Sequence, residues 1–150
     1  MPQSFTCLHY HVIFGTKQRR PVITPDLRPR LYDYLGALVR SEGGVLLAAG
    51  GISDHVHLLM RLGSHRAIVD VLRVVKTNSS KWVHDTFPAA AGFGWQTGYA
   101  AFAVSYSNIE AVKEYIARQE EHHRAVTFQD EFRAFLRKHA LEFDERYLEG

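Results

Sequence analysis

Two separated fragments carry side chains that could do chemistry together, His55-Val56-His57 and Tyr115-Ile116-Ala117-Arg118-Gln119. Successive residues of an extended strand alternate faces, so His55 and His57 fall on one side roughly 6.5 Å apart while Val56 turns to the other. On a helix, residues four apart sit one turn above the other, which gives Tyr115 and Gln119 a common face. Two imidazoles, a phenol and an amide could then converge, the set that a metal-assisted tyrosine nucleophile requires. Spacing alone also admits plainer readings. An HxH on a strand can be a pair of histidines on a half-solvated face, and His9-Tyr10-His11 has the same spacing. Tyr115 borders the stripe of Ile109, Val112 and Ile116, where an amphipathic core tyrosine would sit, leaving Gln119 on the surface. His122 and His123 follow at a helix end, a place where histidines are often solvated or offset the helix dipole.

The elements that must position these groups can be read in outline. Leu8 to Thr16, rich in β-branched and aromatic residues, reads as a first strand. Thr24-Pro25-Asp26 reads as a helix start, with Thr24 as N-cap, Pro25 at the first helical position and Leu27, Leu31, Leu35 and Leu38 as the apolar stripe; Gly43-Gly44 ends it. Val45 to Ala49 and His55 to Leu62 read as two strands joined by Gly50-Gly51-Ile52-Ser53-Asp54. Ser64 is expected to open a second helix, along which Ile68, Val71, Leu72, Val75 and Trp82 recur at helical spacing. Gly98 to Ser105 reads as a fourth strand, and Ser107-Asn108-Ile109-Glu110 as a capping box opening the helix that carries both Tyr115 and Gln119. A last helix is expected from Phe128, with Phe132, Phe135 and Leu136 on one face. The order β-α-β-β-α-β is the ferredoxin-like split unit, an α+β fold, here extended by C-terminal helices; such a fold hosts many functions and decides none.

With 150 residues and 46% hydrophobic content, the chain suits one core, and residues 1–150 are expected to form a single domain. The lone Cys7 excludes an intramolecular disulfide, and the start Met-Pro-Gln-Ser-Phe lacks the basic and apolar regions of a secretory signal, so a reduced, cytoplasmic setting is the expectation. No apolar run approaches the ~20 residues that span a bilayer, and no membrane association is expected. A net charge of +2 implies little by itself, but the basic residues cluster. Lys17, Arg19 and Arg20 follow the first strand, and Arg66, Arg73, Lys76 and Lys81 run along the second helix with Asn78, Ser79 and Ser80 among them. Such clusters attract phosphates or simply form a solvated face. Trp82, Trp95 and Tyr99 have the chemistry to stack on unpaired bases, or to fill the core.

In combination these segments resemble the single-tyrosine HUH transposases, small enzymes that mobilise insertion sequences as single-stranded DNA, and their REP-associated relatives. The resemblance runs through Tyr10-His11-Val12-Ile13-Phe14 with Lys17, Arg19, Arg20 and Pro21, then Asp54-His55-Val56-His57-Leu58-Leu59. It continues through Trp95-Gln96-Thr97-Gly98-Tyr99, Ala101-Phe102-Ala103-Val104-Ser105, Tyr115-Ile116, Gln119 and Glu121-His122-His123. It selects His55 and His57 over His9 and His11. What it implies is that His55, His57 and Gln119 bind one divalent ion, magnesium or manganese, and that Tyr115 attacks the scissile phosphorus, giving a 5′-phosphotyrosine and a free 3′-hydroxyl. No general base for that phenol can be named from the sequence. The resemblance further implies hairpin-bearing single-stranded DNA as partner and a homodimer with joined sheets, in which the tyrosine helix acts on its own or the partner's histidines. A replication initiator or relaxase would share the chemistry but carry further regions, for which 150 residues leave no room. An RRM-like binding module would show aromatic RNP motifs on its central strands, where this chain has His55-Val56-His57. A domesticated or non-catalytic single-stranded nucleic-acid-binding relative is the remaining alternative.

Overall fold

Alternating apolar patterning and well-placed glycines produce nine principal elements: β1 (Leu8–Gly15), α1 (Leu27–Ser41), β2 (Val45–Ile52), β3 (His55–Leu62), α2 (Ile68–Thr86), β4 (Ala100–Val104), α3 (Ile109–Ala117), α4 (Gln119–His122) and α5 (Phe128–Lys138). They are seen in a computed structural model that describes residues 4–90 and 92–142. The strands form one antiparallel sheet in the order β2-β3-β1-β4, the ferredoxin-like arrangement expected from the order of elements. β1 and β3 are the central pair, with Ile13 opposite His57 and His11 opposite Leu59.

Strand alternation divides the sheet into two unlike faces. Val12, Phe14, Val56, Leu58, Met60 and Leu62 point toward α1 and α2 and build the main core with Leu31, Leu35, Val71, Leu72 and Val75. Each such side chain contributes on the order of 1.5–3 kcal/mol when fully buried. The opposite face carries the histidines and is covered by the C-terminal helices. Leu59 packs with Ile109 and Ile116 of α3. Ile13, Ala100 and Phe102 pack with Phe128 and Leu136 of α5.

Several boundaries differ from the sequence reading. The Thr24 hydroxyl does accept from the Leu27 amide at 3.2 Å, so it caps α1, but regular helix begins at Leu27. Gly43 ends that helix in the left-handed region, φ 81°, where its missing Cβ removes the strain. The five-residue connection expected between β2 and β3 is only Ser53-Asp54, because Gly50, Gly51 and Ile52 continue the ladder opposite His57, Val56 and His55. Ser64 does not open α2; the chain turns through Ser64-His65-Arg66, and Ala67 receives the first helical amides, those of Asp70 and Val71. β4 is shorter than expected, five residues from Ala100. The capping box does not form: Ser105 and Ser107 pair by their hydroxyls at 3.1 Å, and residues Tyr106–Asn108 make a short 3-10 turn ahead of α3.

Candidate active site

The helix expected to carry both Tyr115 and Gln119 is broken between them. Arg118 has φ −100° and ψ 20°, which ends α3 at Ala117 and starts the single turn of α4 at Gln119. The break turns Gln119 inward, to 1% exposure, while Tyr115 remains half-buried. α3 can lie this close to the sheet because β2 has no side chain beneath it at Gly50, where an added Cβ would stand 2.2 Å from the Ile116 carbonyl oxygen.

The two fragments meet. His55 and His57 are both fully buried, their ring centroids 5.2 Å apart, and Tyr115 lies 5.8 Å from the His57 ring. His55 Nε2 is 3.1 Å from Gln119 Oε1. Two groups outside the expected set complete the cluster. His123 Nε2 lies 3.0 Å from Gln119 Oε1 and 3.2 Å from Glu131 Oε1. Glu131 Oε1 is also 2.9 Å from His57 Nε2 and 3.6 Å from His55 Nε2. Its other oxygen accepts from Gln119 Nε2 at 3.1 Å and from the Tyr115 hydroxyl. The four groups His55, His57, His123 and Glu131 bring ligand atoms within 4.8 Å of one another.

A cation fits this set because of how the outer atoms are used. The His55 Nδ1–H donates to Asp54 Oδ1 at 2.8 Å and the His123 Nδ1–H to the Val126 carbonyl at 2.6 Å. In the neutral rings that leaves both Nε2 atoms as lone-pair acceptors aimed at the centre, the tautomer a metal ligand needs. Gln119, with its amide nitrogen on Glu131, turns its oxygen inward as well. Acceptors therefore crowd one point, an arrangement held only by a shared proton or a positive ion. Octahedral magnesium, with ligands ~2.0–2.1 Å away, separates adjacent ligand atoms by about 3.0 Å, the scale of the contacts here.

The electrostatics follow from the same crowding. Burial drives the His57 imidazole down to about 4, so the ring is neutral. Burial resists a charge on His55 too, but its hydrogen bonds with Asp54 and Glu131 outweigh this and raise its pKa. Burial would likewise raise Glu131, yet the facing imidazoles of His123, His55 and His57, wherever one carries the shared proton, hold its carboxyl well below the usual carboxylate range. Tyr115 is pushed well above an ordinary phenol, first by burial and then by the facing Glu131 carboxylate. Without a metal, a proton on His55 relieves the crowded acceptors, and a metal entering there would expel it.

The second histidine pair is divided. His11 stands behind His57, its Nε2 2.8 Å from His57 Nδ1, and burial lowers it to about 3. His9 lies apart, beside Cys7 and Tyr106. Glu131 left a signal in the sequence: it shares a helix face with Phe128, Phe132 and Phe135, and a carboxylate in an apolar stripe needs partners. His123 stands four residues after Gln119, the spacing already used to pair Tyr115 with Gln119.

The basic residues do not form one surface. Lys17, Arg19 and Arg20 follow β1 near α5, with the Arg19 guanidinium 4.1 Å over the Phe128 ring. Arg73 and Lys76 line a cleft of about 490 Å³ with Trp95, Gln96 and Tyr99. Lys81 is exposed, whereas Arg66 pairs with Glu42 and Arg73 with Asp70 at 2.7 Å. Trp82 stacks on Tyr34 at 4.6 Å and Trp95 packs edge-on against Phe14 at 4.7 Å, so both support the core.

The sequence model of the family described as "Transposase IS200 like" matches residues 4–119. The chain belongs to this family. It is thus one of the single-tyrosine HUH transposases. The chain is 26% identical over 119 residues to the ISDra2 transposase TnpA of Deinococcus radiodurans, covering 76% of this chain and 85% of that one. A crystal structure of a protein assigned as a transposase from Deinococcus radiodurans R1 superposes with a TM-score of 0.63 at 27% identity, over 79% of this chain and 98% of that one. A REP-associated tyrosine transposase solved bound to a REP hairpin shares the fold, with a TM-score of 0.61 at 14% identity over 84% of this chain and 74% of that one. His123 and Glu131 lie beyond the residues that the family model matches. Among the described residues no helix is long and apolar enough to cross a membrane.

Proposed function

We propose that this transposase, a single domain, cleaves and rejoins single-stranded DNA at hairpin-marked ends, with Tyr115 as nucleophile and His55, His57 and Gln119 as ligands of one magnesium or manganese ion. The observation that carries the reading is the convergence of Tyr115, Gln119, His55 and His57 beside a cavity of about 520 Å³, lined by Tyr115, Arg118, His122 and Ala125 among others. The phenol is thereby the reactive group of the cluster that borders open space, where a phosphodiester can approach it.

In the reaction the Tyr115 oxygen bonds to phosphorus, the bond to the 3′-oxygen breaks, and a 5′-phosphotyrosine and a 3′-hydroxyl result. One phosphodiester replaces another, so the 3′-hydroxyl can reverse the step without a nucleotide cofactor. The bound divalent ion supplies Lewis-acid polarisation of the phosphate. His55 and His57 hold their positions through Asp54 and His11, and Gln119 through Glu131. Lys17, Arg20, Arg73, Lys76 and Lys81 supply phosphate contacts whose strength falls with salt. A hairpin is the form of DNA bound in the REP-associated fold neighbour, which supports it as the substrate form here. A homodimer is part of this reading, with the tyrosine helix acting on its own or the partner's histidines.

The test is a denaturing gel of labelled single-stranded hairpins from the gene's flanks with manganese or magnesium, comparing the wild type with Tyr115→Phe. A covalent protein–DNA adduct that needs the ion and vanishes in the mutant is expected. An adduct of undiminished yield in Tyr115→Phe overturns the assignment. Hairpin binding without any adduct in the wild type favours the non-catalytic binding module.

A further inference from the structure

Glu131 is the only acidic side chain among the described residues that is fully buried, at 3% exposure. Its two oxygens serve different groups. Oε1 faces His57 Nε2 at 2.9 Å, His123 Nε2 at 3.2 Å and His55 Nε2 at 3.6 Å. Oε2 accepts from the Tyr115 hydroxyl and from Gln119 Nε2 at 3.1 Å, and lies 3.2 Å from His122 Nε2. One carboxylate thus joins the ligand cluster to the nucleophile.

We propose that Glu131 ligates the divalent ion through Oε1 and, through Oε2, aims the Tyr115 hydroxyl, so that α5 is part of the active centre. This rests on the reading of Tyr115 as nucleophile and of the histidine pair as metal ligands. The argument begins with the atoms around Oε1. His55 and His123 commit their Nδ1–H groups elsewhere, to Asp54 and to Val126, so in neutral rings they offer Oε1 lone pairs and no hydrogen. A buried carboxylate oxygen facing acceptors is costly unless a shared proton or a cation stands between them, and only a cation can take a lone pair from every one of these groups at once. A carboxylate that gives one oxygen to a metal keeps the other free for a hydrogen bond, and here that second oxygen holds a phenol.

The seating of α5 shows the same coupling. The Thr127 hydroxyl caps α5 by accepting from the Asp130 amide at 3.1 Å, which fixes the turn just before Glu131. Phe128 stacks on the His55 ring at 4.0 Å with planes 3° apart, and Phe135 lies edge-on to Tyr115 at 5.6 Å and to His11 at 5.1 Å. The aromatic side chains one turn to either side of Glu131 therefore hold a ligand and the nucleophile. Phenol, carboxylate and imidazoles are placed as one unit, and α5 supplies its centre.

Two measurements on the full chain test this. The first titrates metal-free protein with Mn²⁺ and follows the paramagnetic resonance of the free ion, for wild type, Glu131→Gln, His57→Ala and Tyr115→Phe. Glu131→Gln is expected to weaken Mn²⁺ binding by about 10- to 100-fold, with Tyr115→Phe unchanged. The second measures single-turnover adduct formation on a labelled flank hairpin at saturating Mn²⁺. There Glu131→Gln is expected to stay at least ~10-fold slow, because the phenol has lost its charged acceptor. Unchanged Mn²⁺ affinity in Glu131→Gln, with His57→Ala impaired, overturns the ligand role alone. Full recovery of rate at saturating Mn²⁺ overturns the aiming role. A rate above wild type overturns both, since the carboxylate would then be an obstacle in the place of the phosphate. If Glu131→Gln does not fold, Glu131→Asp takes its place under the same criteria, keeping the charge one methylene further back. Failure of the underlying reading shows separately, as an adduct in Tyr115→Phe or as Mn²⁺ affinity that His57→Ala leaves intact.

Discussion

Placing a single methyl group at Gly50 would test whether the tyrosine is positioned by backbone contact between α3 and β2. In Gly50→Ala the new Cβ would stand 2.2 Å from the Ile116 carbonyl oxygen and 2.9 Å from the Ile116 Cγ2, whereas real Cβ atoms essentially never come within 3.0 Å. The obstacle is backbone, which cannot swing away as a flexible side chain would. Helix and strand must therefore part by roughly 0.8 Å, and overpacking of this kind costs about 1–3 kcal/mol. Ile116 is the residue after Tyr115, so the displacement passes directly to the phenol. A misplacement of ~1 Å can cost about 100-fold in rate, so single-turnover adduct formation should fall by roughly that factor while the urea midpoint falls modestly. Gly36→Ala is the control. It lies within α1, its added Cβ would meet nothing nearer than 3.6 Å, and it should gain about 0.5–1 kcal/mol of helix stability at unchanged rate. Gly50→Ala reacting at the wild-type rate would refute the argument that this close approach sets the position of Tyr115.

Other expectations concern metal, protons and DNA. His57→Ala should abolish ion-dependent adduct formation and lower Mn²⁺ affinity while keeping the native circular dichroism spectrum; a mutant with full cleavage would sink the metal role, and an unfolded one would mark His57 as a packing residue. In EDTA, stability should fall as the pH drops from 6.5 toward about 4, because the unfolded chain takes protons on His57 and His11 that the buried native rings refuse. The slope from each ring is on the order of 1.4 kcal/mol per pH unit, read from urea midpoints, and a flat profile would show that the rings accept their protons in place. Lys81→Ala should reduce the slope of log affinity against log salt by about one for a labelled hairpin, whereas Arg66→Ala, whose charge already meets Glu42, should change it little. Equal slopes for the wild type and Lys81→Ala would remove α2 from the DNA surface.

The fold was legible where the sequence period was unambiguous. His55 to Leu62 alternates cleanly, and β3 has those bounds. Leu27, Leu31 and Leu35 mark the buried side of α1, and all three are buried. The boundaries that differed were set by partners far along the chain. Gly50, Gly51 and Ile52 look like a loop because two glycines stand together, yet pairing with β3 holds them in the ladder. A capping box is expected at Ser107 because the pattern fits, but the chain leaves β4 through a 3-10 turn at which the Ser105 and Ser107 hydroxyls pair with each other.

For the site, spacing brought out Tyr115 and Gln119 for a reason that holds only in part. A continuous helix would have set the two side chains one above the other, whereas across the break at Arg118 they meet instead on a shared acceptor, Glu131 Oε2. After that break the chain repeats the device: Gln119 and His123, four apart, meet at 3.0 Å. The adjacent pair His122-His123 concealed this, since neighbouring residues on a helix point about 100° apart, and the two serve different oxygens of Glu131, His123 facing Oε1 and His122 facing Oε2. His122 borders the cavity and His123 turns inward, held by the Val126 carbonyl. Glu131 was concealed differently, because nothing local fixes where α5 lands. Its seat is decided by Phe128 on His55 and by Leu136 against Ile13 and Phe102, contacts that span most of the chain. The charge within an aromatic face was the available sign: such a face can be buried only where the carboxylate finds partners, and the sheet offers them at the histidines of β3.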